Sequence, residues 1–235
     1  MQANTSFDIG KIQAYYQPIV RLDKPDMEFK KYEALMRYPL EDGKMGYPDK
    51  HIANIDNTEK FQATLKMLNL ISETLEKNPL CVISLNIAFS DIEGDHANQL
   101  LENIRNSNNG DRLVLEFIEE NELKNKGTVN NFMRRARELG CKFALDDFGK
   151  GYATFGPLLD FDFDILKFDE NLTKDFTTDP KRFYILDMLI SMCQRLEIET
   201  VAEYIETQEM YASARFMGCT YGQGHYEKLG EARPL

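Results

Sequence analysis

The chain has 235 residues, of which 43% are apolar and 29% are charged, and its formal net charge is −11. Because affinity for nucleic acid depends mainly on clusters of Lys and Arg, this charge argues against binding to long nucleic acid. No stretch reaches the roughly 18 continuous apolar residues of a membrane span, and the N-terminus lacks the basic start and apolar core of a secretion signal. We therefore expect a cytoplasmic protein without a membrane segment.

The four cysteines, Cys81, Cys141, Cys193 and Cys219, are far apart in the sequence, and three of the four lie in apolar, strand-like stretches. This distribution is typical of small buried thiols and argues against a disulfide framework or a zinc site. It also favours a reducing compartment.

Short apolar runs rich in β-branched and aromatic residues alternate along the chain with longer segments of helical periodicity. In chain order, the predicted strands are 14–20, 30–38, 80–86, 112–118, 142–147, 164–168, 198–202 and 219–222. The predicted helices lie between most of these strands, at 58–78, 91–106, 127–139, 179–196 and 206–217.

The connections indicate how the strands are arranged. Residues 21–27 link the first two strands and are too few for a crossover helix, which implies that these strands are antiparallel. The later strands can all be parallel. Eight strands with intervening helices predict an α/β fold, a single closed (β/α)8 TIM-like barrel with an antiparallel first strand. No linker, repeat or low-complexity tract divides the chain, so we assign residues 13–235 to one domain and residues 1–12 to an N-terminal extension.

Polar residues interrupt the apolar strands near their C-terminal ends, where the active sites of such barrels lie. They are Glu33, Asn86, Glu116, Asp146, Asp147, Lys167, Glu203 and Gln223. Because the strand ends of a closed barrel converge on one ring, several carboxylates would meet and repel one another unless cations neutralise them. Oxygen ligands without His or Cys favour Mg²⁺ or Mn²⁺, and the adjacent aspartates suit a two-metal site.

Each of these residues also has a structural interpretation. A lone Glu in a strand is more often exposed or paired than a metal ligand, and "DDFGKGY" at 146–152 also fits a strand that ends in an N-cap turn. Lys167 has acidic neighbours, Asp164 and Asp169, with which it could pair. The three histidines, His51, His96 and His225, lack metal-ligand spacing, and we interpret them as surface or supporting residues.

Seven motifs in order resemble the EAL-domain family, bacterial phosphodiesterases that hydrolyse cyclic di-GMP. They are "YEALMR" (32–37), "SLN" (84–86), "LEFIEE" (115–120), "DDFGKGY", "LKFD" (166–169), "AEYIE" (202–206) and "YGQG" (221–224). The resemblance extends from about residue 15 to residue 226, and it identifies residues 13–235 as an EAL phosphodiesterase domain.

The resemblance implies a role for each site residue. Glu33, Asn86, Glu116 and Asp146 would hold a first Mg²⁺ or Mn²⁺, and Asp146, Asp147 and Glu203 a second. Lys167 and Gln223 would position the water that the metals activate, so that Lys167, Glu203, Gln223 and Glu33 form the catalytic group. Substrate contacts would come from Gln17, Arg37 and Glu206, and Glu119 would anchor the loop after Asp147. The product would be linear pGpG.

The chain also departs from the family pattern. Lys150 lies where the family usually has a small polar residue, Tyr204 where it usually has Gly, and Glu170 where Arg is common. The sequence stops where the last helix of the family would begin, so the eighth helix is expected to be missing or to be supplied differently.

Two functions are compatible with the resemblance. The first is an active phosphodiesterase, which the complete set of acidic ligands, Lys167 and Gln223 favours. The second is a degenerate EAL domain that acts as a cyclic di-GMP receptor or a protein-interaction module. A barrel enzyme of another two-metal class would require the order of the motifs to be a coincidence. The resemblance further allows a homodimer and an upstream sensory or GGDEF domain.

Overall fold

The structure, a computed structural model, describes residues 7–24, 30–40, 43–48, 52–117, 125–150, 155–227 and 229–235. These ranges contain nine strands: β1 Gln13–Arg21, β2 Lys30–Pro39, β3 Met45–Gly46, β4 Cys81–Ile87, β5 Leu113–Phe117, β6 Lys142–Phe148, β7 Ile165–Phe168, β8 Glu199–Ala202 and β9 Tyr221–Gly222. They also contain seven α-helices: α1 Asn57–Lys77, α2 Asp95–Ser107, α3 Lys126–Arg137, α4 Gly156–Asp160, α5 Glu170–Thr173, α6 Pro180–Arg195 and α7 Gln208–Phe216. Short 3₁₀ turns occupy Ile9–Lys11, Phe89–Ile92 and Gly110–Arg112.

The strands close into a barrel. Their order is β1-β9-β8-β7-β6-β5-β4-β2, β1 also pairs with β2, and the two-residue β3 lies outside the barrel against β2. Strand β1 is antiparallel to both of its neighbours, and the other barrel strands in the described ranges run parallel. This confirms the predicted TIM-like barrel with an antiparallel first strand. The four longest predicted helices and the helix before β9 are all present.

The two longest helices begin with caps that the sequence supplies. The Asp56 side chain accepts a hydrogen bond from the backbone N–H of Glu59, and the Glu59 side chain accepts one from the backbone N–H of Asp56, so that a capping box starts α1. Asp179 is the N-cap of α6, and Pro180 occupies the first helical position after it. These caps determine the residue at which each helix begins.

The segment after β9 contains no helix within its described residues, 223–227 and 229–235. Instead, Arg233 forms an antiparallel bridge with Tyr16 of β1, through backbone hydrogen bonds of 2.8 and 3.2 Å. The end of the described chain therefore pairs with the edge of β1 that faces β9, where β9 itself pairs only with Val20 and Arg21.

Alternation along the strands divides the inside of the barrel into layers, because every second side chain points inward. A closed apolar layer crosses the middle of the barrel and consists of Ile19, Val114, Ala144, Ile165, Val201 and Tyr221. The residues two positions further toward the C-terminal ends of the parallel strands are polar. This apolar layer is the floor of the candidate site.

All four cysteines lie in described ranges, and all four are buried and free, as predicted. Burial raises the pKa of the Cys193 thiol to about 12, which keeps it protonated and unreactive at neutral pH. Among the described residues, no helix combines the length and the apolar character that crossing a bilayer requires.

Candidate active site

The predicted polar residues meet directly above the apolar layer. Glu33 comes from β2, Asn86 from β4, Glu116 from β5 and Lys167 from β7, while the remaining residues lie at the ends of β6, β8 and β9: Asp146, Asp147, Glu203 and Gln223. Pairing aligns these positions, since Asn86 is the partner of Glu116 across β4 and β5. The barrel therefore brings together all eight residues that the sequence singled out.

Lys167 lies at the centre of the group. Its side chain is 0% exposed, and Nζ donates hydrogen bonds to Glu116 Oε2 at 2.8 Å and to Glu33 Oε2 at 3.1 Å. The same nitrogen forms ion pairs with Asp146 Oδ1 and Glu203 Oε1, both at 3.0 Å. Asp164 and Asp169, the partners that sequence proximity suggested, are engaged elsewhere, with Arg137 and with the start of α5. A buried ammonium thus partly neutralises four carboxylates.

Amide side chains fix the orientation of Glu33. Asn86 Nδ2 donates to Glu33 Oε1 at 2.8 Å, and Gln223 Nε2 donates to Glu33 Oε2 at 2.7 Å. Gln223 Nε2 also lies 3.3 Å from Gln17 Oε1, which brings the predicted substrate residue Gln17 to the wall of the site. With both of its oxygens held, Glu33 presents a single orientation to any ligand.

The two adjacent aspartates face the same site because the strand is irregular. Between Leu145 and Phe148, β6 advances three residues while β7 advances two, so one residue on β6 is extra. Asp147 has a φ of +56°, in the left-handed region. Regular alternation would direct Asp147 away from the barrel interior, whereas this bulge turns its carboxylate toward Asp146 and Glu203.

Gly149 completes this turn. Its φ is +103°, and an added Cβ would lie 2.4 Å from the side chain of Leu172. Only glycine fits this conformation and this close approach without displacing Leu172.

Burial and mutual repulsion change the protonation of the carboxylates. Burial raises the pKa of Glu203 to about 8 and that of Glu116 to about 7, with neighbouring carboxylates adding to the effect and Lys167 opposing it. Although burial acts on Glu33 as well, the Lys167 ammonium and two amide donors hold its pKa below the ordinary value. The carboxylates raise the pKa of Lys167 well above its ordinary value despite burial.

The carboxylates fall into two groups that suit divalent cations. Ligand oxygens of Glu33, Glu116 and Asp146 lie within 4.8 Å of one another, and so do those of Asp146, Asp147 and Glu203. Asp146 belongs to both groups, as expected where one carboxylate bridges two ions. A set made only of oxygen ligands suits Mg²⁺ or Mn²⁺ rather than zinc.

A buried amide oxygen supports the same fit. Asn86 Oδ1 has no hydrogen-bond partner among the described residues, although the other end of this amide is held by Glu33. Leaving a buried polar atom unpaired costs about 1–3 kcal/mol. A cation in the first group would give this oxygen a partner.

Lys150 adds a second ammonium, at the edge of the site. Its Nζ lies 2.6 Å from Asp147 Oδ2, while the Lys150 side chain is 60% exposed. Within the described part of the chain, five carboxylates therefore meet two lysines. The sequence marked Lys150 as a departure from the family without indicating this partner, because the bulge that turns Asp147 inward was not predicted.

The predicted substrate residues differ in position. Arg37 lies four residues beyond Glu33 on β2, and its guanidinium stacks 3.9 Å from the ring centroid of Tyr47, an aromatic contact that the sequence did not indicate. Glu206 is exposed after β8, where its charge raises the pKa of the Tyr204 phenol. Glu119, the predicted loop anchor, lies outside the described residues. Gln17 therefore borders the site, whereas Arg37 and Glu206 are placed only by their positions on β2 and after β8.

Comparison with known proteins agrees with this geometry. Residues 2–227 match the family model described as EAL domain. The chain is 28% identical over 245 residues to the cyclic di-GMP phosphodiesterase PdeB of Shewanella oneidensis, covering 96% of this chain and 27% of that protein. It is 33% identical over 220 residues to the probable cyclic di-GMP phosphodiesterase PdeB of Escherichia coli K12, covering 91% of this chain and 41% of that protein.

The fold also matches a solved structure, the manganese and cyclic di-GMP complex of BlrP1 from Klebsiella pneumoniae. The TM-score is 0.81 at 23% sequence identity, and the match covers 98% of this chain and 58% of that chain. The chain thus spans less than half the length of either curated relative. With a family model matched from residue 2 to residue 227 and the motifs gathered at one end of the barrel, the chain belongs to the EAL domain family.

Proposed function

We propose that this domain hydrolyses the second messenger cyclic di-GMP to linear pGpG and requires two divalent cations, Mg²⁺ or Mn²⁺. The observation that carries the proposal is the pair of carboxylate groups that share Asp146. The names of the relatives and the cyclic di-GMP and manganese of the BlrP1 complex support the substrate and the metal dependence.

The ligand sets follow from the two groups. Glu33, Asn86, Glu116 and Asp146 hold one cation, and Asp146, Asp147 and Glu203 hold the other. When bound, the cations supply Lewis-acid activation of water and neutralise charge on the phosphodiester.

The remaining residues position the reactants. Lys167 holds the attacking water near the carboxylates and stabilises negative charge that develops on the phosphate. Gln223 fixes the orientation of Glu33 and shares the positioning of the water. Gln17, Arg37 and Glu206 contact the substrate, and Glu119 anchors the loop after Asp147. Residues 13–235 form this catalytic domain in a reducing cytoplasm, which the four buried free thiols support.

The direct test is incubation of the purified chain with cyclic di-GMP and Mg²⁺ or Mn²⁺, followed by chromatographic analysis of the products. We expect pGpG to accumulate with either ion and to be absent after treatment with a chelating resin. If cyclic di-GMP binds tightly but no pGpG forms with either Mg²⁺ or Mn²⁺, the domain is a receptor instead.

The receptor alternative has one structural argument in its favour, the ion pair between Lys150 and Asp147. An ammonium 2.6 Å from a carboxylate oxygen competes with a cation for that carboxylate. If the lysine holds Asp147 throughout, the second cation lacks one of its ligands.

Replacing Lys150 by serine should therefore strengthen binding of the second cation. Because an exposed ion pair contributes about 1 kcal/mol or less, the expected gain is about fivefold in affinity. Calorimetric titration of the metal-free protein with Mn²⁺ would resolve the weaker of two binding events. Lys77→Ser, at the exposed end of α1, is the matched control and should change neither event. Equal affinities for the second cation in the Lys150 variant and the original chain would show that the ion pair between Lys150 and Asp147 does not weaken metal binding.

A further inference from the structure

A second pocket opens at the opposite end of the barrel, where the parallel strands begin. Its volume is about 800 Å³, and its walls include the last residues of β1 and the first residues of β2, β5, β6 and β8. The apolar layer of Ile19, Val114, Ala144, Ile165, Val201 and Tyr221 lies between this pocket and the carboxylates. The two sites are therefore separate, and the proposed phosphodiesterase activity does not use this pocket.

The pocket is strongly basic in a protein of net charge −11. Among the described residues, two acidic residues line the pocket, Asp111 and Glu199. Six cationic residues line it as well: Arg21, Lys24, Lys30, Lys31, Lys142 and Arg215. Even when Asp23, the partner of Arg21, is included, the described positive groups outnumber the described negative groups two to one. Like charges gathered in one concave surface repel one another, and the concavity concentrates their field.

The inner wall shows how these charges are arranged. Lys31 Nζ lies 3.4 Å from Glu199 Oε2 and Lys142 Nζ lies 4.0 Å from the same oxygen, so two ammonium groups share one carboxylate oxygen. Tyr221 donates a hydrogen bond of 3.0 Å to the other oxygen of Glu199. Lys31 also lies 4.0 Å from the centroid of the Tyr221 ring, and only 11% of its side chain is exposed. A largely buried ammonium in this position is only partly compensated.

Several lining residues lie on the same strands as the residues of the carboxylate site. Lys31 precedes Glu33 by two residues, Lys142 and Ala144 precede Asp146, Glu199 and Val201 precede Glu203, and Tyr221 precedes Gln223. Because inward side chains alternate along each strand, Lys31 lies at the level of the apolar floor, and Lys142 and Glu199 lie one layer below it. Rigid strands therefore position the cations, which suits a binding site better than a mobile surface loop.

From this arrangement we propose that the pocket binds a small anion carrying two or more phosphate groups. Its volume lies within the roughly 300–1,000 Å³ of small-molecule sites. A polyanion can contact several of the surrounding cations at once, whereas a single chloride or phosphate satisfies only some of them. Tyr221 provides an aromatic face at the inner wall. The competing explanation for the charged lining is that it only stabilises this end of the barrel.

The test is calorimetric titration of inorganic pyrophosphate into the protein after treatment with a chelating resin. Without metals the carboxylate site carries surplus negative charge and repels anions, so saturable binding reports on the basic pocket. We expect one site per chain, an affinity that falls steeply with added salt, and binding of inorganic phosphate about tenfold weaker than that of pyrophosphate. No saturable binding at millimolar pyrophosphate would overturn the proposal.

Three variants assign the binding to this pocket. Lys142→Glu reverses the charge of a half-exposed lining residue and should weaken pyrophosphate binding at least about tenfold, while Lys181→Glu, at the exposed start of α6, should change it less than about twofold. Glu199→Gln releases Lys31 and Lys142 and should strengthen binding, an outcome that a purely stabilising role does not produce. Equal losses for both lysine variants, or weaker binding by the Glu199 variant, would reject the pocket.

Asp146→Asn separates this proposal from the proposed function. It should leave pyrophosphate binding unchanged, because the apolar layer separates Asp146 from the pocket. Tighter binding of pyrophosphate by this variant would show that the anion occupies the carboxylate site instead, because removing one carboxylate weakens the repulsion there.

Discussion

Replacement of Asp146 by asparagine is expected to lower turnover of cyclic di-GMP by at least about a thousandfold, the equivalent of about 4 kcal/mol. Asp146 belongs to both carboxylate groups, so its loss removes a charged ligand from both cations. The asparagine has the same shape, and the apolar floor below it is unaffected. Product formation in Mg²⁺ and Mn²⁺, measured beside the original chain, gives the result.

Stability measurements distinguish this effect from misfolding. Because five carboxylates meet two lysines, removing one negative charge should leave the melting temperature of the metal-free protein unchanged or slightly higher. The rise in melting temperature on adding Mn²⁺ should be largely lost, since ligand-induced stabilisation depends on affinity. Asp162→Asn, an exposed aspartate before β7, should retain both turnover and the metal-induced rise. Near-normal turnover of the Asp146 variant would contradict the two-metal assignment.

Replacement of Lys167 by methionine is expected to lower turnover by orders of magnitude while cyclic di-GMP still binds. The methionine keeps most of the apolar stem but lacks the ammonium, whose contribution we assign to the transition state rather than to the bound substrate. Calorimetric titration with cyclic di-GMP in Ca²⁺, beside a turnover assay in Mg²⁺, separates the two quantities. A normal kcat would mean that other groups position the water.

The same variant is also expected to be less stable in the absence of metal. Four carboxylates lose the ammonium that contacts them at 2.8–3.1 Å, and breaking a buried ion pair costs about 3–5 kcal/mol. We therefore expect a lower melting temperature in the metal-free Lys167 variant and recovery of most of this loss when Mn²⁺ is added. Lys77→Met is the control, and a loss of stability that persists with metal would indicate a defect in packing rather than in charge.

Tyr204 departs from the family pattern at a position with an unusual backbone conformation. The family usually has glycine at this position, and in the structure Tyr204 has a φ of +58°, in the left-handed region that favours glycine. The backbone here follows Glu203 and turns the chain out of β8. The sequence marked the unusual residue, but the strain became visible only from the dihedral angle.

The sequence by itself determined the barrel and most of the carboxylate site. Alternation of period two, helical segments between strands and one short connection after β1 were sufficient for the topology, because each is a local pattern. Charged residues in otherwise apolar strands were sufficient for the site, because a closed barrel has one ring of strand ends where such residues can meet.

Only the tertiary structure decided which groups contact one another. The bulge that turns Asp147 inward, the ion pair between Lys150 and Asp147, and the four carboxylates around Lys167 depend on the register between β6 and β7 and on distances across the barrel. The basic pocket is a further example, since Lys31, Lys142 and Glu199 are separated by more than fifty residues from one another and have no unusual local pattern. Contacts between residues far apart in sequence form when the strands close into a barrel, and no local periodicity specifies them.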